Sequence, residues 1–375
     1  MKLAVFFDLP DGGARYALYK ILENLREGNS IDVYTFARGV TLTDFSQVAN
    51  VHVYKLPWYT DRASHWGRVW GDLYALFVLP WVERRIAGDI DSGGYDHIVV
   101  SHTRFFQAPW VSRYLRTPVT FWCQEPTRAF FEKDLFPLSS LPPANRLYES
   151  LVRRAKRAVE TKNAQYPRQI IANSAFSAGQ IRSAYGRKAI PILLGVDTKD
   201  FYKMRVANKD EILVVGADEP QKALYLAVDT VAKLSDKRFA LHVVGPRSAS
   251  YDSLLAYAKQ AEVKVQVSQR VTPAKLRRLY NQSRCTLAVA VREPFGLSPI
   301  ESMVCGTPVV AVDEGGYRET VVHGKTGYLV PRDAGMLAVA IQKVDKIKES
   351  SCLAHVRAHF TWSRVAKDTL QLLQG

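Results

Sequence analysis

Residues 285–312 read CTLAVAVREPFGLSPIESMVCGTPVVAV and set the fold of this chain. An apolar run of strand length, Cys285 to Val291, ends in a loop that Pro294 and Gly296 enforce. A helical pattern follows, and then a second apolar run from Pro308 to Val312. This order predicts parallel strands joined by a helix, which is the building unit of an α/β sheet.

The loop in this stretch also predicts a ligand site. Ser298 is a good N-cap, Pro299 fits the first helical position, and Glu301 follows three residues after the cap, as in a capping box. Glu301 could therefore simply cap its own helix. The same geometry brings a helix N-terminus to the carboxyl end of a strand, where a phosphate can bind. Glu293 and Glu301 would repel a phosphate, so we expect them to bind hydroxyl groups. A nucleotide sugar carries both kinds of group.

The same alternation of strands and helices extends outward in both directions. In the second half, apolar strands are predicted at 212–215, 239–244 and 263–267, each followed by a helical pattern. The first half has its own series, at 3–7, 31–36, 97–100 and 117–123. We therefore predict two doubly wound α/β domains that join near Leu194–Asp197, with a ligand cleft between them.

Length and composition limit the class of protein. A chain of 375 residues is too long for one ordinary core, and 47% hydrophobic with 23% charged residues is typical of a soluble globular protein. The longest uncharged apolar run, Leu73 to Val82, is too short to cross a bilayer, and the apolar run near the N-terminus is too short for a signal peptide. The four cysteines, at 123, 285, 305 and 352, have no zinc-ligand spacing. We therefore expect a cytoplasmic protein.

The charge is strongly positive and unevenly distributed. Lys and Arg number 51 against 36 Asp and Glu, and residues 151–190 hold nine basic side chains against Glu160 alone. Such a surface suits phosphates, acidic lipid headgroups or nucleic acid, although a merely solvated basic helix is an equal alternative. No nucleic-acid-binding module is recognisable, so we expect no nucleic-acid partner.

Two aromatic clusters are the other unusual feature of the first half. The first is formed by Trp58, Tyr59, Trp66, Trp70, Tyr74, Phe77 and Trp81. The second is formed by Phe130, Phe131 and Phe136. We favour buried aromatic core for both, and the alternative is an interfacial surface at the headgroup zone of a membrane.

Two further positions could contact phosphate. Gly12 and Gly13 join the first strand to the first helix, so their backbone N–H groups can approach an anion. The pattern is not Gly-x-Gly-x-x-Gly, so it gives little support for a dinucleotide cofactor. Lys222 follows Gly216 by six residues, is predicted to open a helix, and could neutralise a diphosphate.

At this point the sequence resembles a known family. The segment Glu293-Pro-Phe-Gly-Leu-Ser-Pro-Ile-Glu301 is followed by Gly306-Thr-Pro-Val-Val310, Gly315-Gly316, Glu319 and Gly324-Lys-Thr-Gly-Tyr-Leu-Val330. In length, order and glycines it is similar to the E-x7-E signature of family 4 glycosyltransferases, the retaining enzymes of glycosyl transferases group 1. Ile171–Ser174, Gly195–Asp197 and the segment around Trp362 resemble other parts of that family, so the resemblance spans most of the chain.

The resemblance implies the GT-B architecture, in which two Rossmann-like doubly wound domains face each other across a cleft. Residues 1–194 would form the N-terminal, acceptor-binding domain and residues 195–358 the C-terminal, nucleotide-sugar-binding domain. Residues 359–375 would form a C-terminal helix that packs back on the first domain.

It also implies roles for the residues above. Glu293 would bind hydroxyls of the donor sugar near the reacting carbon, and Lys222 would stabilise the departing phosphate. Glu301 would hold the ribose hydroxyls. Backbone N–H groups would hold the diphosphate at Gly296, Leu297 and Ser298 and, from the other domain, at Gly12 and Gly13. The remaining donor-binding candidates are Gly216, Phe295 and Val271, the last for base selection through backbone contacts.

The chain departs from the family pattern at two places. In the Gly-Arg…Lys-Gly pattern, the Arg position is Ala217 and the glycine after Lys222 is Ala223, which removes one cation from the diphosphate. The family often has a His after the strand at 117–123, where this chain has Gln124 and Glu125. These two residues, His102 and Arg128 are candidates for acceptor binding or catalytic support.

We expect a metal-independent enzyme without a cofactor that moves a hexose or related sugar from a UDP-sugar or GDP-sugar to an acceptor hydroxyl, with retention. Asp89-Ile-Asp91 is a formal Asp-x-Asp, but it lies in a polar turn and we do not expect it to bind metal. The acceptor would be a glycan or a lipid-linked sugar, and the basic first domain would associate reversibly with the inner face of the cell membrane. The alternatives are a nucleotide-sugar epimerase or hydrolase of the same architecture, and a degenerate, non-catalytic binder of sugar nucleotides or polyanions.

Overall fold

The computed structural model describes residues 1–37, 43–59, 64–206, 210–217, 219–236, 238–246 and 251–374. The chain divides into two compact units. The first contains Met1–Ile192 and Val365–Gly375, and the second contains Leu193–Arg364. Each unit is an α/β structure built on a parallel sheet, which confirms the fold class expected from the alternating pattern.

The first unit is built on a seven-stranded sheet. Its strands are β1 (Lys2–Phe6), β2 (Ser30–Phe36), β3 (Asn50–Tyr54), β4 (His97–Ser101), β5 (Val119–Cys123), β6 (Gln169–Ala172) and β7 (Ile190–Pro191). They lie in the order β3-β2-β1-β4-β5-β6-β7, and all pairs are parallel. The central strands are buried on both faces, which explains why β1 and β4 read as continuous apolar runs rather than as alternating ones.

In the described residues of Met1–Ile192, six helices complete this unit. They are α1 (Gly13–Leu25), α2 (His65–Leu73), α3 (Leu79–Ser92), α4 (Arg128–Phe131), α5 (Pro143–Asn163) and α6 (Ala175–Tyr185). A π-helical segment, Tyr74–Val78, joins α2 directly to α3. Short 3-10 turns at Phe45–Gln47, Trp110–Arg113 and Leu138–Ser140 occupy the connections.

The second unit is built on a six-stranded parallel sheet. Its strands are β8 (Glu211–Val215), β9 (Ala240–Val244), β10 (Val265–Ser268), β11 (Ser283–Ala288), β12 (Val309–Val312) and β13 (Gly327–Val330), in the order β10-β9-β8-β11-β12-β13. Its helices are α7 (Leu224–Ala232), α8 (Tyr251–Gln260), α9 (Pro273–Gln282), α10 (Leu297–Val304), α11 (Tyr317–Thr320), α12 (Ala334–Gln342) and α13 (Glu349–His359).

The last helix, α14 (Trp362–Gln374), begins in the second unit and belongs to the first from Val365 onward. The Gln169 side chain at the start of β6 donates a hydrogen bond to the carbonyl of Leu372 at 2.8 Å. This bond fixes the end of α14 on the sheet of the first unit.

Each sheet has one place where the direction of strand addition reverses. In the first unit it lies between β1 and β4, and in the second between β8 and β11. In open α/β sheets, ligands bind beyond the carboxyl ends of the strands at such a switch point. The loops after β8 and β11 carry Lys222, Glu293 and the start of α10, and the loop after β1 carries Gly12 and Gly13.

The structure corrects the predicted start of α10. The helix begins at Leu297 with Gly296 as its N-cap, and no side chain caps it, so the capping box predicted for Ser298 and Glu301 is wrong. Gly296 has a φ of 94°, a conformation that favours glycine. The chain therefore enters the helix two residues earlier than the Ser-Pro signal indicates.

The predicted helix at Lys222 is also wrong in its start. Lys222 ends a 3-10 turn, Pro220–Lys222, and α7 begins only at Leu224. The intervening Ala223 has a left-handed backbone with a φ of 49°, which separates the turn from the helix.

The first aromatic cluster is only partly core. Tyr74 is fully buried and Tyr59 is half-buried, but the expectation of a buried core is wrong for several members. The exposed side chains, with their exposed fractions, are Trp58 (78%), Trp66 (78%), Trp70 (38%), Phe77 (66%) and Trp81 (72%). Phe130, Phe131 and Phe136 are half-buried. No helix in the described part of the chain is long and apolar enough to span a membrane.

Candidate functional site

The candidate site of the second unit lies where β8 and β11 end. Gly216 follows β8, and its backbone is packed so closely that a Cβ on Gly245 would lie 2.2 Å from the Gly216 carbonyl oxygen. The backbone N–H of Val291, beyond β11, donates to the carbonyl of Gln221 at 2.7 Å. The turn that carries Lys222 is therefore bonded to the loop that carries Glu293.

Lys222 and Glu293 form an ion pair at this place. The Lys222 Nζ donates to the Glu293 Oε2 at 2.8 Å, although the two residues are 71 positions apart in the sequence. The two side chains keep 28% and 19% of their surfaces exposed, so both remain within reach of a ligand. The structure thus places the two predicted catalytic residues side by side.

The loop that holds Glu293 is fixed by the glycine pair predicted from the family pattern. The Gly316 N–H donates to the carbonyl of Glu293 at 2.7 Å. A Cβ on Gly315 would lie 2.6 Å from the Glu293 carbonyl oxygen, and one on Gly316 would lie 2.5 Å from the Cα of Phe295. Only glycine permits this approach, which gives a physical reason for the pair.

A second support was not predicted from the sequence. Glu314 accepts a hydrogen bond from the backbone N–H of Arg292 at 3.1 Å and one from the Arg332 Nε at 2.6 Å. The same Arg332 guanidinium donates to the carbonyls of Val289 and Ala290. These bonds tie both sides of the loop to residues that no local motif connects.

The N-terminus of α10 lies four residues after Glu293. In the first turn of a helix the N–H groups have no acceptor within the helix, and the helix dipole favours an anion there. The candidates Leu297 and Ser298 occupy this turn, and Gly296 is its cap. Phe295 is 2% exposed and its ring packs edge-on against Phe360, so it anchors the loop rather than facing a ligand.

Glu301, one turn into α10, is held by a partner that sequence reasoning missed. Its Oε2 accepts a hydrogen bond from the hydroxyl of Tyr280 on α9 at 2.7 Å. Burial raises the pKa of Glu301 to about 7, although the Tyr280 hydroxyl favours the ionised form. A carboxylate placed this way accepts hydrogen bonds from hydroxyls.

Val271 lies between β10 and α9. It follows Arg270, which has a left-handed backbone, and precedes Thr272, whose hydroxyl caps α9 by accepting from the Lys275 N–H at 3.2 Å. The geometry of this turn is therefore set by its neighbours, and the role of Val271 in base selection stays a prediction.

In the first unit, Gly12 and Gly13 are exposed at the start of α1. Gly12 is the N-cap with a φ of 154°, and a Cβ there would meet nothing within 4 Å. Open space at a helix N-terminus, beyond the end of β1, is the geometry expected of a backbone contact to an anion.

The acceptor-side candidates lie after β4 and β5 of the first unit. His102 is buried, and its carbonyl accepts from the Asp8 N–H at 3.1 Å. The Gln124 Oε1 accepts from the side-chain amide of Asn173 at 3.0 Å. Arg128 forms a two-bond pair with Glu132, at 3.2 and 3.0 Å, and lies 3.8 Å from the Glu125 carboxylate.

Two buried carboxylates near these candidates were missed from the sequence. Asp8, at the end of β1, is fully buried and accepts two hydrogen bonds from Arg104, at 2.6 and 3.1 Å. Glu160 is fully buried and accepts from Thr127, from the Gln107 N–H and from the Tyr185 hydroxyl. Burial raises the pKa of Glu160. The only available signal was that Glu160 is the sole acid in residues 151–190.

A metal centre is not among the features of the described residues, where no group of three or more His, Cys, Asp or Glu side chains is placed to hold an ion. In the Asp-x-Asp pair, Asp91 accepts from the backbone N–H groups of Arg116 and Thr117 at 3.0 and 3.3 Å. Its role there is to fix the turn before β5.

Part of the chain matches the model of a known family. Residues 197–352 match the model of the family described as glycosyl transferases group 1. Most of the second unit therefore matches a glycosyl transferases group 1 domain. The match includes Lys222, Glu293, Glu301 and the glycine pair, and confirms the resemblance deduced from the E-x7-E segment.

Bacterial proteins are similar to part of this chain. The chain is 32% identical to the D-inositol 3-phosphate glycosyltransferase of Jonesia denitrificans, over 44% of this chain and 43% of that protein. It is 31% identical to the probable sucrose-phosphate synthase of Thermosipho melanesiensis, over 48% of this chain and 44% of that protein. The chain thus spans about half the length of the relatives that it matches.

Solved structures match the whole chain. Anabaena Alr3699/HepE in complex with UDP is similar with a TM-score of 0.75 and 20% identity, over 100% of both chains. The sucrose-phosphate synthase of Thermosynechococcus elongatus is similar with a TM-score of 0.77 and 19% identity, over 100% of this chain and 98% of that one. At these identities the likeness shows the fold, which is GT-B.

Proposed function

We propose that this protein is a retaining glycosyltransferase that moves a hexose, or a related sugar, from a nucleotide-diphosphate sugar to an acceptor hydroxyl. The observation that carries the proposal is the Lys222–Glu293 pair at the start of α10, at 2.8 Å. At the switch point of the second sheet the Lys222 cation contacts the Glu293 carboxylate, and α10 begins four residues after Glu293.

In this proposal, Lys222 and the first turn of α10 bind the diphosphate. Negative charge develops on the leaving phosphate as the bond to the sugar breaks, and fixed donors aimed at that charge are often the largest catalytic contribution. We propose that these groups take the role that a divalent cation has in other phosphate-leaving reactions. Transfer is therefore expected to continue at an unchanged rate in a chelator such as EDTA.

The two carboxylates divide the hydroxyl groups of the donor. Glu293, next to Lys222, binds hydroxyls of the transferred sugar, and Glu301 binds those of the ribose. The Tyr280 hydroxyl holds one oxygen of Glu301 in place at 2.7 Å and leaves the carboxylate able to accept further bonds. The donor is expected to be a UDP-sugar or a GDP-sugar, and the UDP and UDP-glucose complexes of Alr3699/HepE support the former.

The acceptor in this proposal binds to the first unit. The acceptor candidates His102, Gln124, Glu125 and Arg128 are held there by the bonds described above. We propose a sugar hydroxyl of a glycan or a lipid-linked sugar as the nucleophile. It attacks from the face of the leaving phosphate, so the anomeric configuration is retained.

Nucleotide binding is the first test. The melting temperature of the purified protein is measured with UDP, GDP and ADP, each at saturating concentration. A ligand present at about 100 times its dissociation constant stabilises the folded state by about 2.7 kcal/mol. We expect one diphosphate to stabilise the wild type and to lose most of its effect on Glu301→Ala and Lys222→Ala.

The matched control is Lys233→Ala, which removes an exposed lysine from the end of α7 in the same unit. It should respond to the nucleotide as the wild type does. Absence of stabilisation by any nucleoside diphosphate would show that the second unit has no functional donor site.

Transfer is tested by incubating the protein with candidate acceptors and with sugar donors that carry the nucleotide found to stabilise it. The anomeric configuration of the product is then determined by NMR. Retention supports the proposal, and inversion contradicts its mechanism. Binding without transfer or hydrolysis would favour the degenerate binder, for which Ala217 in place of an arginine is the supporting observation.

A further inference from the structure

The first unit exposes a continuous apolar stripe along the helix formed by α2, the π-helical segment and α3. Its members are spaced by 4, 3, 4 and 4 residues, which matches the helical repeat and places them on one face. We call this set the aromatic stripe, with exposed fractions in parentheses: Trp66 (78%), Trp70 (38%), Leu73 (46%), Phe77 (66%) and Trp81 (72%).

The opposite face of the same helix already supplies the core. Tyr74, Ala75, Leu79 and Ile86 are at most 1% exposed and belong to the main apolar cluster of the first unit. The aromatic stripe is therefore not the inward side of an ordinary amphipathic helix, but a second apolar face turned to solvent. Contiguous apolar surface of this kind marks a binding face.

The loop before α2 adds a further exposed ring. The carbonyl of Trp58 accepts a hydrogen bond from the Trp70 Nε1 at 3.2 Å, and the Trp58 side chain is 78% exposed. Its φ of 58° is unusual for a bulky residue. The backbone thus adopts a costly conformation while the ring it carries stays in solvent.

Each acidic side chain of this helix accepts a hydrogen bond from another part of the protein. Asp72 accepts from the Tyr148 hydroxyl and from the Lys156 ammonium group of α5, and Asp89 accepts from the Tyr54 hydroxyl. Glu83 is fully buried and accepts from the Val111 N–H. Asp91 fixes the turn before β5, as described above.

Arg84 and Arg85, three and four residues after Trp81, are exposed beside the stripe, and the exposed acid of this helix, Asp89, accepts the hydrogen bond from Tyr54. A surface that combines tryptophans with arginines, and on which each acid accepts a hydrogen bond from the protein, is complementary to negative charge.

Helix α5, whose Tyr148 and Lys156 bond to Asp72 of α2, also exposes apolar and basic side chains. On α5, Leu147 and Leu151 are 71% and 61% exposed, and Arg154 and Arg157 are exposed as well. Its two acids face partners: Glu149 pairs with Arg153, and Glu160 is the buried carboxylate described above. Exposed leucines and arginines thus recur on the neighbouring helix.

We propose that the aromatic stripe and its flanking arginines dock the first unit on a lipid bilayer that contains anionic lipids. Tryptophan rings suit the headgroup zone because they combine an apolar body with a polar N–H. Arginines near such a surface are attracted by its negative potential. A second copy of this chain fits less well, since a symmetric contact through the stripe would bring like charges together.

The docking proposal goes beyond the proposed function and does not depend on it. It identifies the surface that would bring the chain to a lipid-linked acceptor. Attachment through a few interfacial side chains is reversible, and its strength follows the buried apolar area and the charge of the lipid.

The test is co-sedimentation of the full chain with vesicles. One set is phosphatidylcholine alone, and the other contains about 30% phosphatidylglycerol to supply the negative potential. We expect the wild type to bind the anionic vesicles. The triple variant Trp66→Ser/Phe77→Ser/Trp81→Ser should bind at least about tenfold more weakly, because each lost ring removes apolar area that the bilayer would bury.

The matched control removes exposed apolar side chains from the second unit. Leu255→Ser/Met336→Ser/Val339→Ser changes residues that are 39%, 46% and 48% exposed, and it should bind as the wild type does. Both triple variants should keep the wild-type melting temperature and nucleotide response. Those two readouts separate a failure of docking from a failure of the fold or of the donor site.

Charge is tested with Arg84→Glu/Arg85→Glu. This variant should lose about tenfold or more on anionic vesicles and little on neutral ones, and added salt should weaken only the wild type strongly. Equal binding by the wild type and the stripe variant overturns the proposal. So does a wild-type chain that ignores both vesicle types, or a dimer in solution that only the stripe variant loses.

Discussion

The loop around Glu293 in the second unit and the aromatic stripe in the first differ in which kind of side chain they expose to solvent. At the loop, the aromatic residue Phe295 is 2% exposed, whereas the charged side chains of Glu293 and its partner Lys222 keep 19% and 28% of their surfaces exposed. In the stripe, Trp81 is 72% exposed while Glu83, two residues later, is fully buried. The first arrangement offers charge to a small polar ligand, and the second offers apolar surface to a large partner.

The difference shows that the type of a residue does not by itself predict whether the residue is buried. Burial follows from which side of an element faces the sheet, and the preference of a side chain for water is only one contribution. The loop buries its aromatic residue as that preference predicts, whereas the stripe exposes aromatic rings beside a buried glutamate. The predictions below test each side of this contrast, from the largest expected effect to the smallest.

Truncation of the buried aromatic residue should be the most damaging change. Phe295→Ala removes a ring packed against Phe360 and should lower the free energy of unfolding by about 3–5 kcal/mol. The measurement is chemical denaturation of the wild type and the variant. A loss below about 1 kcal/mol would mean that the loop is not anchored by this ring.

Loss of the site cation should mainly affect catalysis. Lys222→Ala is expected to lower kcat by about 100- to 1,000-fold, because a fixed donor to the leaving phosphate is removed. Its stability should change little, since the Lys222–Glu293 pair is partly exposed. Steady-state kinetics of the variant and of Lys233→Ala provide the check, and equal kcat values would remove Lys222 from the mechanism.

The buried Glu83 should make stability depend on pH. Burial raises its pKa to about 8, against 4.5 for an unperturbed glutamate. In the window from pH 4.5 to 8 the unfolded chain has released this proton and the folded chain has not, so stability falls as the pH rises and is constant above. Glu83→Gln has no such proton.

We therefore expect Glu83→Gln to gain stability relative to the wild type as the pH rises from 5 to 8, by about 2 kcal/mol or more. Denaturation at several pH values measures this difference and cancels the contributions of other groups. A constant difference across the window would mean that Glu83 is ionised in the folded chain. The exposed Trp81 next to it should show no comparable pH effect when replaced.

Removal of the Glu301 charge should weaken nucleotide binding at neutral pH and above. Glu301→Gln is expected to lower the affinity about tenfold at pH 8, where the carboxylate is ionised and accepts charge-assisted hydrogen bonds. Its pKa of about 7 means that wild-type Glu301 is largely neutral at pH 6, so the gap between the two proteins should narrow there.

Calorimetric titration at both pH values gives the comparison for Glu301, with Glu262→Gln as the exposed control. A gap that stays the same at pH 6 and pH 8 would show that the charge of Glu301 does not contribute.

Changes on the aromatic stripe should have the smallest effect on folding. Trp81→Ser removes a ring that is mostly in solvent, so the free energy of unfolding should change by no more than about 0.5 kcal/mol. Denaturation beside Phe295→Ala completes the contrast. A cost of several kcal/mol would show that Trp81 is a structural residue and that the stripe is not free for a partner.

Local signals predicted the order of strands, loops and helices along the chain. They failed where the boundary of an element or the partner of a side chain depended on residues distant in the sequence. The strand at β11, the loop at Pro294 and Gly296 and the strand at β12 all follow from the sequence. The start of α10 does not, because Gly296 and the Tyr317 ring packed near it decide where the helix begins. Likewise, Tyr280 and Arg332 are unremarkable until the fold brings them to Glu301 and Glu314.

The sequence by itself determined the class of fold and the resemblance of the second unit to glycosyl transferases group 1, and it supplied the charged residues that we propose for the site. Periodicity, turn residues and a dense motif act over a few neighbouring positions, and such information is written along the chain. Only the tertiary structure decided that Lys222 meets Glu293, that Asp8 and Glu160 are buried with their donors, and that the aromatic stripe faces solvent. Those outcomes depend on which surfaces the two sheets cover, and packing settles that only when the whole unit has formed.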